Sequence, residues 1–332
     1  MTKKLPGVKA ICPQKVNFAQ VKRWINFCTK NHSPEKCRLP SIPELPGFYL
    51  IDCWTRSLVT PPQDCQYITL SYVWGQKTVN SSLEGSLPSV IQGSISVTMA
   101  LGYRYLWVDR YCIDQTSEHK HLQIAQIDRI YSQSVLTIIA AAGHDSDYGL
   151  PGVSLRHRHQ QEKLKLADFT LIRVPPPTAY TLGNSPWLTR GWTYQEGFLA
   201  QRRLIFTDDE VSFVCNQMYC SELNNQPADS IPHASVEPFL LKNFPDHFNL
   251  GFGAEEVGYY VRNFTSKNLS YPSDSLTACL GILGFFERWP HCAYHLFGVL
   301  LRYGGQSRDI NLGLGWYHDD PALRRPGLPS WS

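Results

Sequence analysis

From residue 66 the chain alternates short apolar runs with longer stretches whose apolar positions recur at helical spacing. "QYITLSYVW" is a continuous apolar run and predicts a strand that ends in Ser-Tyr. "LPSVIQGSISVTMALGY" predicts a helix, with Pro88 in its first turn, Ile91 and Ile95 on one face and Gly102 at its exit. "RYLWVD" is a second buried strand. "TSEHKHLQIAQIDRIYSQ" is a second helix, capped by Thr116 or Ser117, with Ile124, Ile127 and Tyr131 on one face. "SVLTIIAAAG" is a third strand. Near-continuous apolar strands separated by helices predict a parallel sheet covered on both faces, with right-handed crossovers.

The flanks read differently. "NFAQVKRWINFCTK" predicts an amphipathic helix capped by Asn17, followed by a Pro-rich connector and a strand in "GFYLIDCWT". After the third strand, "KLADFTLIRV" reads as a further strand. Ser185-Pro186 reads as a helix start, giving a helix over 186–199. "RRLIFTDDEVSFVC" predicts a hairpin turning at Thr207-Asp208-Asp209. Residues 221–250 read as a loop, and helices are expected near 254–264 and 274–289. The chain thus divides into an N-terminal helical extension (1–45), an α/β core (46–220) and a helical C-terminal region packed on it (221–332).

Composition narrows the function classes. The chain has 332 residues, 43% apolar and 18% charged, enough to fill a sizeable core. A net charge of +3 without a basic run gives no case for nucleic acid or an anionic membrane. No signal peptide follows the basic start, and no apolar window reaches the ~20 residues of a membrane span. A cytoplasmic protein is expected. Ten cysteines lie at irregular intervals, and the closest pairs, Cys28/Cys37 and Cys215/Cys220, match no zinc spacing. They read as reduced buried thiols, and no metal site is expected.

In an open parallel sheet, ligands bind beyond the carboxyl ends of the strands. Ser71, Tyr72, Trp74 and Gly75 fall there, as do Asp109, Asp114 and Gln115, and Gly143, His144 and Asp145. Asp109 and Asp114 read as paired carboxylates or ribose ligands. Alternatively, Asp114 organises a turn and Asp109 accepts backbone N–H groups. On the 186–199 helix, Trp192 shares a face with Glu196, so Glu196 reads as a carboxylate beside an indole in a partly dry cleft. That environment suits stabilisation of an oxocarbenium-like transition state. The rival is a buried ion pair of Glu196 with Arg190 or Arg203. The His-x-His pairs at 119–121 and 157–159 read as solvated, and Cys112 with His144 is a weak thiol–imidazole candidate.

Three blocks in this order, "YITLSYVWG", "YLWVDRYCIDQ" with "QIAQIDRIYSQSVLTIIAAAG", and "SPWLTRGWTYQE" followed by "RRLIFT", resemble the signature blocks of the fungal heterokaryon incompatibility domain. "LPGFYLIDC", "YPSDSL" and "RRPGLPSWS" agree at the flanks, and the absence of a following "WAGW" implies a short or trimmed chain end. The resemblance covers essentially the whole chain from about residue 15 and assigns the domain to 46–220. It implies an intracellular effector of non-self recognition and programmed cell death, acting through self-association or an upstream receptor or incompatibility partner.

The domain also resembles, more distantly, the Toll/interleukin-1 receptor (TIR) domain, with a flavodoxin-like, mostly parallel sheet flanked by helices. The insertion at 144–185 and the hairpin at 203–215 depart from that compact pattern. The resemblance implies that Glu196 is catalytic in cleaving NAD, a substrate rather than a prosthetic group. Ser71, Tyr72, Trp74, Gly75, Asp109, Asp114, Arg190 and Trp192 would line the nucleotide site. The rival class is a non-enzymatic signalling or scaffold module.

Overall fold

The computed structural model describes residues 9–32, 37, 47–75, 83, 85–114, 120–153, 155–167, 169–224, 254–287 and 293–302. The expected caps Thr116 and Ser117, the core of the 221–250 loop and the chain end after 302 lie outside the described residues.

One eight-stranded sheet organises the chain. Its centre is β3 (Tyr67–Ser71), β4 (Tyr105–Trp107), β5 (Leu136–Ala140) and β8 (Arg202–Phe206). These four run parallel in the spatial order β4-β3-β5-β8. Every residue of β3, β5 and β8 is buried, as expected for strands covered on both faces.

The edges are antiparallel, so the sheet is mixed around the expected parallel centre. On one side β1 (Leu50–Asp52) pairs with β4, and β2 (Ser57–Val59) pairs with β1. On the other, β9 (Val211–Cys215) follows β8 through the expected hairpin, and β10 (Tyr219–Ser221) closes the edge. This hairpin is no insertion, because its first strand is the fourth parallel strand.

The connections place the helices. β3 leads through α2 (Ser89–Leu101) to β4 on one side, and β4 leads back across β3 to β5. Right-handed crossovers in opposite directions put α2 on one face and the return path on the other. That return path holds α3 (Asp109–Cys112), α4 (Lys120–Ile124) and α5 (Ile127–Gln133). The single helix expected over 116–133 is therefore broken between Ile124 and Ile127. A small separate hairpin, β6 (Lys163–Lys165) with β7 (Thr170–Ile172), replaces the one strand expected in that insertion. α6 (Thr178–Gly183) and α7 (Gly191–Leu199) precede β8, and α7 packs on α5.

α1 (Phe18–Asn31) has the expected cap, with Asn17 Oδ1 accepting from the Gln20 N–H at 3.1 Å. It packs on α2 and β9, and Trp24 meets Phe213 at 6.5 Å between ring centroids. Arg158 joins Glu222 in a buried ion pair and also donates to the Cys12 and Lys15 carbonyls, at 2.5 and 2.6 Å. The N-terminal segment is thereby fastened to the sheet edge.

α8 (Ala254–Thr265) and α9 (Thr277–Glu287) cover α7. Phe198 of α7 packs edge-on to Tyr260 and Phe285, at 5.0 and 5.4 Å. The C-terminal part is not wholly helical: β11 (Ala293–Leu296) and β12 (Val299–Arg302) form a hairpin. No described helix is long and apolar enough to cross a membrane.

Candidate functional site

Strand order reverses between β3 and β5: the chain leaves β3 toward one edge and β5 toward the other. This switch point is where open α/β sheets form a crevice. The loops beyond the two strands meet there. Gly75, at φ +79°, faces Asp145 so closely that a Cβ would lie 2.5 Å from the Asp145 Cβ. Glycine is required at this position by both its backbone angle and the approach.

Glu196 reaches the same point from α7. The Ser71 hydroxyl, at the end of β3, donates to Glu196 Oε2 at 2.5 Å, and the Trp187 indole N–H donates to Ser71 Oγ at 2.8 Å. Glu196 is 6% exposed, and Ser71 and Trp187 are fully buried. Burial and then the charge of Asp109 push the Glu196 carboxyl up to about 8, opposed by the bond from Ser71.

Asp109 supplies the second carboxylate. Its Oδ2 accepts from the Trp74 indole at 2.9 Å and its Oδ1 from the Arg110 N–H at 2.7 Å. Arg110 stacks its guanidinium 4.5 Å from the Trp74 ring centroid. Asp109 keeps some surface exposure, yet loss of water around its carboxyl raises it to about 6, against the pull of those donors and of Arg190. Two neighbouring carboxyls in one buried group therefore hold their protons to different pH values, the usual mark of an acid–base pair.

Tyr72 joins them, its hydroxyl kept protonated first by burial and then by the Asp109 charge. The Tyr72 and Tyr111 hydroxyls and Arg110 Nη1 are buried without hydrogen-bond partners among the described residues. Native proteins rarely leave such groups unpaired.

Four sequence expectations change here. The helix starts at Gly191, not Pro186. Thr189 accepts from the Asn268 N–H at 2.7 Å and Asn268 accepts from the Gly191 N–H at 2.9 Å, so this backbone pairs with a distant segment instead of continuing a helix. Gly191 allows that approach, since a Cβ would lie 2.7 Å from Leu269 Cδ2. Second, the indole bonded into the group belongs to Trp187, while Trp192 is half-buried against the core. Third, Glu196 forms no ion pair among the described residues. Arg190 stands at the N-cap of α7, and Arg203 donates to the Gly197 and Phe198 carbonyls at 2.6 and 3.2 Å. Fourth, Asp114 is exposed and its N–H donates to the Gln123 side chain at 3.0 Å, which fits the turn-organising alternative.

Apart from exposed Cys12 and half-buried Cys65, the described cysteines divide into two groups. Cys53, Cys112, Cys220 and Cys279 are buried, and burial pushes each thiol up to about 12, as for inert core thiols. Cys28, Cys37 and Cys215 instead converge on His32. His32 lies between Cys28 and Cys37 in the chain and was passed over when cysteine spacing alone was considered. A shallow depression lined by Gly47, Phe48, Trp107 and Ile113 shares no residue with the Glu196 group.

A central parallel β/α unit with a buried two-carboxylate group at its switch point defines a mixed α/β protein with a candidate ligand site. Residues 67–196 match the family model described as Heterokaryon incompatibility protein (HET), and the chain carries a HET domain over that stretch. The match opens at β3 and closes on Glu196, so it contains every residue of the group. No curated protein and no solved structure matches the chain.

Proposed function

We propose that this protein is a cell-death effector of heterokaryon incompatibility and that its Glu196 group cleaves the glycosidic bond of NAD or a related nucleotide. The observation that carries the reading is the buried Glu196 bonded by Ser71 at the switch point, with Asp109, bonded by Trp74, as the charge that acts on it. The parallel order β4-β3-β5-β8 agrees with the first four positions of the flavodoxin-like order and so supports the reading, while β9 beyond it is antiparallel. The protein would act in the cytoplasm, through self-association and with an upstream receptor or incompatibility partner.

In this reading Glu196 holds the ribose adjoining the nicotinamide. The bond from C1′ to the nicotinamide nitrogen breaks, and its electron pair leaves with the ring as neutral nicotinamide. Ionised Glu196 and Asp109 face the cationic ribosyl carbon. Water adds at C1′ and gives up one proton, leaving ADP-ribose. Tyr72, Tyr111 and Arg110 offer ribose hydroxyls or phosphate the donors they do not spend within the protein. Trp74 offers a stacking face and Arg190 a cation for the diphosphate.

Concentrated, self-associated full-length protein should release nicotinamide from NAD, and Glu196→Gln should abolish that release. Because Glu196 must lose its proton to stabilise the cation, the rate should climb as pH rises toward about 8. Intact NAD and intact related nucleotides after incubation, or parent-like turnover by Glu196→Gln, would sink the enzymatic reading. Burial of Glu196 at 6% exposure favours a second reading, a non-enzymatic scaffold that kills by recruiting partners. Under that reading Glu196→Gln remains toxic in cells and NAD is spared.

A further inference from the structure

We propose that Cys28, His32, Cys37 and Cys215 form a structural zinc site that fastens the N-terminal helix to the sheet edge. All four side chains are buried, and their ligand atoms lie within 4.8 Å of one another. His32 Nδ1 is 3.5 Å from Cys37 Sγ and 3.4 Å from Cys215 Sγ. A tetrahedral ion with Zn–S about 2.3 Å and Zn–N about 2.0–2.1 Å separates a nitrogen and a sulfur ligand by about 3.5 Å. The cluster therefore already has the edge lengths of a zinc tetrahedron along its two described N···S contacts.

The chain presents these ligands compactly. Cys28 sits in the last turn of α1, and His32 is the residue that ends the helix, its N–H bonded to the Cys28 carbonyl at 3.2 Å. Cys37 follows, and Cys215 closes the set from the end of β9. Cys-x3-His-x4-Cys lies within the short spacings of structural zinc sites, with the fourth ligand supplied from afar.

Charge points the same way. Zinc with three thiolates and a neutral imidazole carries one net negative charge, which is costly to bury unpaired. Arg202 is buried beside the cluster and donates its Nε–H to Cys28 Sγ at 3.2 Å, while Nη2 donates to the Cys37 carbonyl at 2.5 Å. One guanidinium neutralises the site and holds the Cys37 carbonyl. The site lies outside the HET-matched stretch and does not depend on the nucleotide reading.

The test is metal analysis of the full chain, purified under reducing conditions without chelator and dialysed. One zinc per chain is expected. Protein loaded with Co²⁺ instead should show the thiolate-to-cobalt charge-transfer band and the strong visible bands of a tetrahedral site. His32→Ala and Cys215→Ser should each lower retained zinc to under about a tenth, while Cys53→Ser and Cys279→Ser keep it. If the first two variants do not fold, the parent decides: releasing its zinc should expose three further titratable thiols. Three results overturn the proposal. They are protein that takes up neither Zn²⁺ nor Co²⁺, a native disulfide between any two of the three cysteines, and zinc retained by both ligand variants.

Discussion

Replacing Glu196 by Gln separates a buried, protonated carboxyl from a buried ion pair, because the two respond to pH with opposite sign. The folded protein holds the Glu196 proton to about 8, against an ordinary value of 4.5, chiefly through burial and the Asp109 charge. The unfolded chain ionises near 4.5, so the stabilising contribution of the protonated form is complete below that value. It is lost as pH rises through about 8. At about 1.4 kcal/mol for each pH unit between the two values, the full loss is at most about 5 kcal/mol. Gln keeps the shape and can still accept from Ser71, but has no proton to lose. Urea unfolding of parent and Glu196→Gln across pH 5 to 9 should therefore show the variant gaining on the parent as pH rises. Most of the gain should come between about 5 and 8, by several kcal/mol. A structural ion pair would instead make Glu196→Gln weaker by about 3–5 kcal/mol throughout that range. Parallel stability curves for the two proteins would refute a buried protonated carboxyl at 196.

Ser71→Ala removes the bond that lowers the Glu196 pKa, so the pH at which the parent's stability loss is complete should move alkaline, read from the same unfolding curves. Gly75→Ala combines a φ of +79° with a Cβ approach of 2.5 Å to Asp145, and should cost about 1–3 kcal/mol in denaturant unfolding while disordering the loop that carries Trp74. Arg158→Met leaves Glu222 charged and buried, a loss of about 3–5 kcal/mol. Adding Glu222→Gln should restore part of it in a double-mutant cycle.

The parallel centre of the sheet was legible because β3 and β5 are near-continuous apolar runs, interrupted only by Thr69, Ser71 and Thr137, and α2 carries its punctuation at Pro88 and Gly102. The antiparallel edges were not, since three residues such as Leu50–Asp52 are too few to show a period. At the site, position at strand ends and on the last helix of the unit was enough to name Ser71 with Glu196 and Trp74 with Asp109, and the structure bonds each of these pairs. The error lay in geometry. Ser185-Pro186 signals a turn as well as a helix, and only the pairing of Thr189 and Gly191 with Asn268 decides between them. A helix begun five residues early left Trp187 out of the group, although Trp192 and Glu196 keep their four-residue spacing on α7. The Cys28, His32, Cys37 and Cys215 group escaped because the cysteines taken without His32 match no zinc spacing, and the fourth ligand stands 183 residues from His32.

That separation also sets an order of events during synthesis. α1 leaves the ribosome well before β9, yet Trp24 and Cys28 are buried partly by β9. At about 5–20 residues per second, a gap of 183 residues keeps the part of the α1 apolar face that meets β9 without its native cover for roughly ten to forty seconds. The nascent chain must carry that face uncovered, or shielded by a chaperone, until the last central strand and its hairpin emerge. The α/β centre cannot close at its far edge before β8 arrives, so α1 docking and sheet completion should be late and nearly simultaneous steps.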